Sequence, residues 1–167
     1  MAVVIIGNGA HASDIRDSLH AMDVWPHEYA HHKLAPSNVN LNAVYIGVND
    51  PRLRAIVAKK LGVLDELWIH PDARLYHDVI VGYGSHVNYS VHAVRTCIAN
   101  HTTISPGVTI CGDVGIGSEV LVGAGAVICD RVMIGDGATI GAGAIVLPET
   151  VVPAGETWVG NPARRLR

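Results

Sequence analysis

The sequence contains no phenylalanine, and aromatic residues make up only 5% of its 167 positions. A core built on large rings is excluded, so small and branched aliphatic side chains must fill the interior. Charge is scarce too: charged residues are 16% against 49% hydrophobic, a balance that excludes a solvated, disordered chain. Lys and Arg number 12 against 15 Asp and Glu, for a net charge of -3, and the basic residues are scattered apart from Arg164, Arg165 and Arg167. That distribution gives no general nucleic-acid surface, and no nucleic-acid partner is expected. The three cysteines, Cys97, Cys111 and Cys129, are odd in number and lack C-x-x-C spacing, which fits reduced thiols better than a secreted disulfide framework. The apolar opening up to Ile6 is too short for a signal peptide and has no basic flank, and no apolar run approaches membrane-spanning length. The expectation is a cytoplasmic protein without a membrane partner.

Glycine is abundant, with 18 residues, and it follows a repeat. An aliphatic residue or Trp recurs every six positions from Ile98 through Ile104, Ile110 and Ile116 to Val152 and Trp158. Four residues after each anchor comes a second small or branched residue, as at Val108, Val114 and Ala126, while Gly117, Gly123, Gly135 and Gly141 directly follow their anchors. A helix needs a period near 3.6 and an ordinary strand a period of 2, so a strict six fits neither. It fits a parallel β-helix in which each hexad forms one flat face, the anchor points inward and glycine lets the backbone turn at the corner. Three hexads close one triangular coil, and coils stack about 4.8 Å apart. Counting backwards, Val87, Val81, Leu75 and Ile69 keep the phase, but Val87 and Ile98 are eleven residues apart instead of twelve. One face, over Ala93 to Cys97, is a residue short and lies among His86, His92 and His101.

Ahead of the repeat, an apolar run over residues 2–6 leads into Gly7-Asn-Gly9-Ala-His11 and then into helical spacing over Asp14 to Leu19. A strand, a glycine turn and a helix in that order suit a phosphate or diphosphate, though a merely tight turn reads the same way. Residues 25–38 show little periodicity, Ala43 to Val48 reads as a second buried strand, and Pro51 opens a helix through Lys60. Leu67 to Ile69 reads as a third short strand of this small α/β module. The division is residues 1–68 for the module, 69–163 for the coils and 164–167 for a basic C-terminal tail.

Gly7-Asn-Gly9-Ala-His11-Ala, Ile46-Gly-Val-Asn49 with Arg52, Ile69-His-Pro-Asp-Ala73, the hexads and Val159-Gly-Asn-Pro-Ala-Arg164 together resemble the sialic acid O-acetyltransferase (NeuD-type) family, which includes N-acetyltransferases of nucleotide-linked amino sugars. The resemblance implies a mainly β fold: a left-handed parallel β-helix preceded by a Rossmann-like module, assembled as a homotrimer with acetyl-CoA held between chains. It implies that Gly112, Ala124 and Ala142 line the CoA cleft, with Arg164 and Arg165 near the CoA phosphates. Gly7, Gly9, His11 and Asn49 would face the nucleotide-sugar.

Acyl transfer from a thioester needs a base for the nucleophile's proton and donors for the oxyanion. The family's base is a histidine followed by an acid, third in a hexad, a place that here falls on Val94-Arg95 or Arg95-Thr96. Three readings stay open. His92 has taken over as base, with Asn88 placing the acceptor and amides near Gly112 binding the thioester oxygen; His101 or His86 serves, or the amine loses its proton to solvent; or catalysis is lost and a trimeric binding protein remains. O-acetylation of a sugar is the alternative within the enzyme class. No metal is expected, since the six- and nine-residue spacing of His86, His92 and His101 differs from β-helical zinc carbonic anhydrases and aims the rings at different sides of the prism.

Overall fold

The computed structural model describes residues 3–6, 26–29, 43–62 and 65–167. Within the repeat, one residue per hexad adopts the left-handed backbone: Asp78, Gly84, Ser90, then Arg95, His101, Gly107 and onward every six to Gly155. At each such corner the chain changes direction, and the strands between corners stack into three parallel sheets. The first face runs from β4 (Trp68–Ile69) through β7 (His86–Val87), β10 (Thr103–Ile104), β13 (Leu121–Val122) and β16 (Thr139–Ile140) to β19 (Thr157–Val159). The second joins β5 (Arg74–Leu75), β8 (His92–Ala93), β11 (Thr109–Ile110), β14 (Val127–Ile128) and β17 (Ile145–Val146). The third joins β6 (Ile80–Val81), β9 (Thr96–Ile98), β12 (Val114–Ile116), β15 (Met133–Ile134) and β18 (Val151–Val152). The result is a left-handed parallel β-helix. Its interior is one column of anchors and their small partners, from Val87 through Ile128 to Val152, buried as the six-residue period requires.

The glycines that follow the anchors do a different job from the one the sequence implies. Gly117, Gly123, Gly135 and Gly141 are absent from the left-handed residues, and the corner lies two positions further on. These glycines are required by the next coil: a Cβ on Gly123 would lie 2.5 Å from the Ala142 amide nitrogen, and one on Gly135 2.5 Å from that of Ala154. The corners themselves tolerate Asp, Glu, Arg, Ser and His.

The short face closes by moving its corner. Ser90 and Arg95 are five residues apart where all other neighbouring corners from Asp78 to Gly155 are six apart. Ala93 is the buried anchor that links Val87 to Ile98. The adjustment stays local: the Asp113 amide donates to Arg95 O at 2.9 Å, whereas one coil further on Arg131 donates to Gly112 O at 3.0 Å, one residue ahead of the corner.

In the amino-terminal module, β1 (Val3–Ile6) is flanked in parallel by β2 (Pro26–Tyr29) and β3 (Ala43–Ile46). The third strand is therefore Pro26–Tyr29. Its polar His27 and Glu28 gave no apolar period, and proline at the first position of an edge strand leaves the pairing intact. Trp68–Ile69 instead pairs with His86–Val87 and belongs to the first face of the coils. Helix α1 (Pro51–Leu61) starts on Asp50, whose carboxylate accepts from the Arg52 and Leu53 amides, and ends on Gly62 in the left-handed conformation. At the far end, Arg164 and Arg165 are not a loose tail: β20 (Arg164–Arg165) runs antiparallel to β19, with Trp158 opposite Arg165.

Gly123→Ala should therefore lower the free energy of unfolding by about 1–3 kcal/mol through overpacking. Gly125→Asn, at a left-handed corner with nothing within 4 Å of its Cβ position, should stay close to wild type. Thermal or urea unfolding of the two variants checks the contrast.

Candidate functional site

The three edges of the prism have different chemistry. Between the first and second faces the corners are Ser90, Gly107, Gly125 and Gly143, and exposed Ala124 and Ala142 precede two of them. The edge has no side chain larger than methyl at these upper positions, and a Cβ at Gly125 or Gly143 would meet nothing within 4 Å. The C-terminal hairpin caps it: Ile145 donates to Gly160 O at 3.0 Å, and Ala163 donates to Ile145 O at 2.7 Å. Ala124, Ala142 and Arg164 thus come to one edge. Arg165 is engaged with Glu156 at 3.2 Å.

Between the second and third faces the corners are Asp78, Arg95, Asp113, Arg131 and Glu149, an alternation of sign coil by coil. Arg95 Nε donates to Asp113 Oδ1 at 3.0 Å, and Arg131 pairs with Glu149 at 2.7 Å. The Arg95 side chain lies over Gly112, where a Cβ would collide with the guanidinium. The Asp113 carboxyl is held below the usual range by its hydrogen bond from Arg95. Gly112 is on this edge and not with Ala124 and Ala142. Its amide, expected to receive the thioester oxygen, already donates to Asp130 Oδ1 at 2.9 Å.

The second face lies between these two edges and carries His92, which is exposed, stands opposite Arg74 and Thr109, and has its ring 6.3 Å from that of Tyr76. One further histidine belongs here. His77 is exposed, and its carbonyl accepts from the Arg95 amide at 2.9 Å, one coil below the short face. It is third in the hexad that starts at Leu75 and is followed by the acid Asp78. That His-acid pattern is legible in the sequence, one coil below the short face on which the expected base position falls. Asn88 is buried at the end of β7, its amide donating to Ile104 O at 3.0 Å.

His86 and His101 lead elsewhere, to the junction between module and coils. His86 is buried on the first face with Nε2 3.8 Å from Asp65 Oδ2. His101 occupies a third-to-first corner, its ring 5.1 Å from Tyr83. Arg54 of α1 ties the junction together: it is fully buried, pairs with Asp65 at 3.1 Å, and donates to Gly84 O, Val48 O and Thr103 Oγ1 at 2.9–3.0 Å. Thr103 Oγ1 also donates to Asn49 O at 3.0 Å, which fixes the loop on which Asn49 is exposed. Burial pushes the Asp65 carboxyl up to about 6, against the Ile46 amide and Arg54, and brings Arg54 down to about 10. Burial, then Arg54, holds His86 well below its ordinary value. Gly7, Gly9 and His11 lie outside the described residues. Among the described residues no group of three or more His, Cys, Asp or Glu is placed to hold a metal ion, and no helix is long and apolar enough to cross a membrane.

A family model described as bacterial transferase hexapeptide (six repeats) matches residues 113–148. Among solved structures, a histidine-to-alanine variant of GDP-perosamine N-acetyltransferase from Caulobacter crescentus, in complex with CoA and GDP-perosamine, superposes with a TM-score of 0.78 at 24% identity over 100% of this chain and 97% of that one. The acetyltransferase domain of PglB from Neisseria gonorrhoeae gives 0.76 at 22% identity, covering 99% of each chain. WeeI from Acinetobacter baumannii gives 0.75 at 20%, over 99% of this chain and 100% of that one. The chain shares their fold. No curated protein matches its sequence.

Asp65→Ala removes the acceptor of both the buried Ile46 amide and Arg54 and should cost about 3–5 kcal/mol in urea unfolding. The junction also sets a pH dependence. Asp65, raised from 3.8 to about 6, favours the folded chain below about pH 4 and loses that contribution as pH rises through about 6. His86, lowered from 6.5, contributes above pH 6.5 and loses its contribution as pH falls, so the two oppose each other in between. His86→Gln should expose the Asp65 half, with stability falling more steeply than wild type from pH 4 to 6 in urea titrations.

Proposed function

We propose that this chain is an acetyl-CoA-dependent acyltransferase that acetylates the amine of a nucleotide-linked amino sugar and works as a homotrimer. The observation that carries the reading is the smooth first-to-second edge, lined by Ala124 and Ala142 and capped by the Arg164 hairpin, on a fold shared end to end with an enzyme solved with CoA and GDP-perosamine. A narrow pantetheine chain fits along side chains no larger than methyl, and the exposed Arg164 guanidinium offers charge-assisted hydrogen bonds to phosphate. Gly7, Gly9, His11 and Asn49 would hold the nucleotide-sugar, and Asn88 would help to place the acceptor.

In the reaction the amine nitrogen attacks the thioester carbonyl carbon. The C–N bond forms, the C–S bond breaks, the CoA thiolate leaves and takes up a proton, and a base removes the proton from the amine. Arg95 and Val94 occupy the place where the related family carries its base, and neither accepts a proton at neutral pH. His77 supplies the base in this reading, because it has the same place in a hexad, the same following acid and the same edge, one coil lower. His92 is the second reading, favoured by its exposure on the face between the two edges.

Calorimetric titration should give saturable acetyl-CoA binding at one per chain, and thiol release should follow with a nucleotide-linked amino sugar. His77→Ala should then lower kcat by about 10²-fold or more, the usual size of a general-base contribution, with acetyl-CoA affinity unchanged. If His92→Ala shows that loss and His77→Ala does not, the assignment passes to His92. Failure of acetyl-CoA to bind at millimolar concentration would leave the non-catalytic binding protein as the reading.

A further inference from the structure

On the second face the buried anchors Ala93, Ile110, Ile128 and Val146 stand in register, and the residues that follow them are Val94, Cys111, Cys129 and Leu147. Cys111 and Cys129 are therefore neighbours one coil apart, where the second face meets the edge of Arg95 and Asp113. The ladder holds both backbones: the Cys111 amide donates to Ile128 O at 2.8 Å and the Cys129 amide to Val146 O at 3.0 Å. Both thiols are free and half-buried, with apolar Val94 in the coil below and Leu147 in the coil above. The two groups sense each other: burial, then Asp130 and Cys129, push the Cys111 thiol up.

We propose that Cys111 and Cys129 form a two-thiolate site for one soft, two-coordinate cation such as Cu(I). Spacing selects a bridging cation over a disulfide. Residues stacked in register keep the coil pitch of about 4.8 Å, whereas a disulfide needs its Cβ atoms about 3.5–4.5 Å apart. Two metal–thiolate bonds of about 2.3 Å laid in line span about 4.6 Å, which matches the pitch without moving the backbone. Ligand number then selects the cation. A closed zinc site takes four ligands, and among the described residues no group of three or more His, Cys, Asp or Glu is placed to hold a metal ion. The neighbouring Asp130 is engaged, its Oδ1 accepting from the Gly112 amide at 2.9 Å. Two thiolates alone suit a soft cation and leave a hard one under-coordinated. On binding, both S–H bonds break, two S–Cu bonds form and two protons pass to solvent. Copper stays in the Cu(I) state throughout, so neither an oxidant nor a reductant takes part.

The site is independent of the acyltransferase reading, and it is tested on the full chain without acetyl-CoA. Cu(I) is titrated anaerobically in competition with a chromophoric Cu(I) chelator, on wild type and on Cys97→Ser, Cys111→Ser and Cys129→Ser. Wild type and Cys97→Ser should each take up one Cu(I) per chain, and Cys111→Ser and Cys129→Ser should lose that uptake. No uptake by wild type, or uptake retained in either Cys111→Ser or Cys129→Ser, would overturn the site. Zn2+ bound as tightly as Cu(I) would overturn the two-coordinate assignment. A second readout needs no variant. One equivalent of Cu(I) should slow maleimide alkylation of Cys111 and Cys129 in native wild type, located by peptide mapping, and leave the rate at exposed Cys97 unchanged. Any other pattern of protection would count against the pair.

Discussion

Each face of the prism ends where one residue turns left-handed, and the coil-to-coil hydrogen bonds form only if that turn recurs in phase. An L-residue in this conformation costs roughly 1–2 kcal/mol unless it is glycine or finds local compensation. Here the amide of each corner residue from Arg95 to Gly155 donates to a carbonyl one coil below, as Gly125 does to Pro106 and Gly143 to Ala124. Anchors then project into a common axis, where Ile104, Val122 and Ile140 are fully buried. Core, faces and edges all take their positions from the corners, and the site takes its position from the edges.

The corner also explains how the chain absorbs a missing residue. Moving Arg95 into the left-handed position shortens one face, and its guanidinium gains Asp113 in the coil above. The arginine that stands where a base would be expected is thus a structural member of an alternating charge column. At the other end of the coil, Arg54, Asp65 and Thr103 weld the α/β module to the prism through buried polar contacts. Buried pairs of this kind add little net stability against an apolar alternative, but each fixes a position, and Thr103 thereby fixes the loop that carries Asn49.

The six-residue phase was legible because the anchors are buried without exception from Ile98 to Val152, so composition and period point to the same residues. The short face could be read as well, from an interval of eleven between Val87 and Ile98. The role of the glycines after the anchors was not legible: sequence shows that a position needs no side chain, but not whether the cause is a dihedral angle or a neighbouring coil. Pro26–Tyr29 gave no signal because an edge strand is held by backbone pairing, which leaves no hydrophobic period.

Sequence by itself determined the prism, its break in phase and the types of residue available for chemistry, because a strict period of six has one economical folded solution. Only the tertiary structure decided which residues share an edge. His77 and Arg95 are 18 positions apart yet in backbone contact, whereas His92 and His101 are nine apart and on different sides. The physical reason is that each coil returns the chain to the same edge after three corners. Proximity therefore depends on the count of turns completed, and the short coil shifts that count by one.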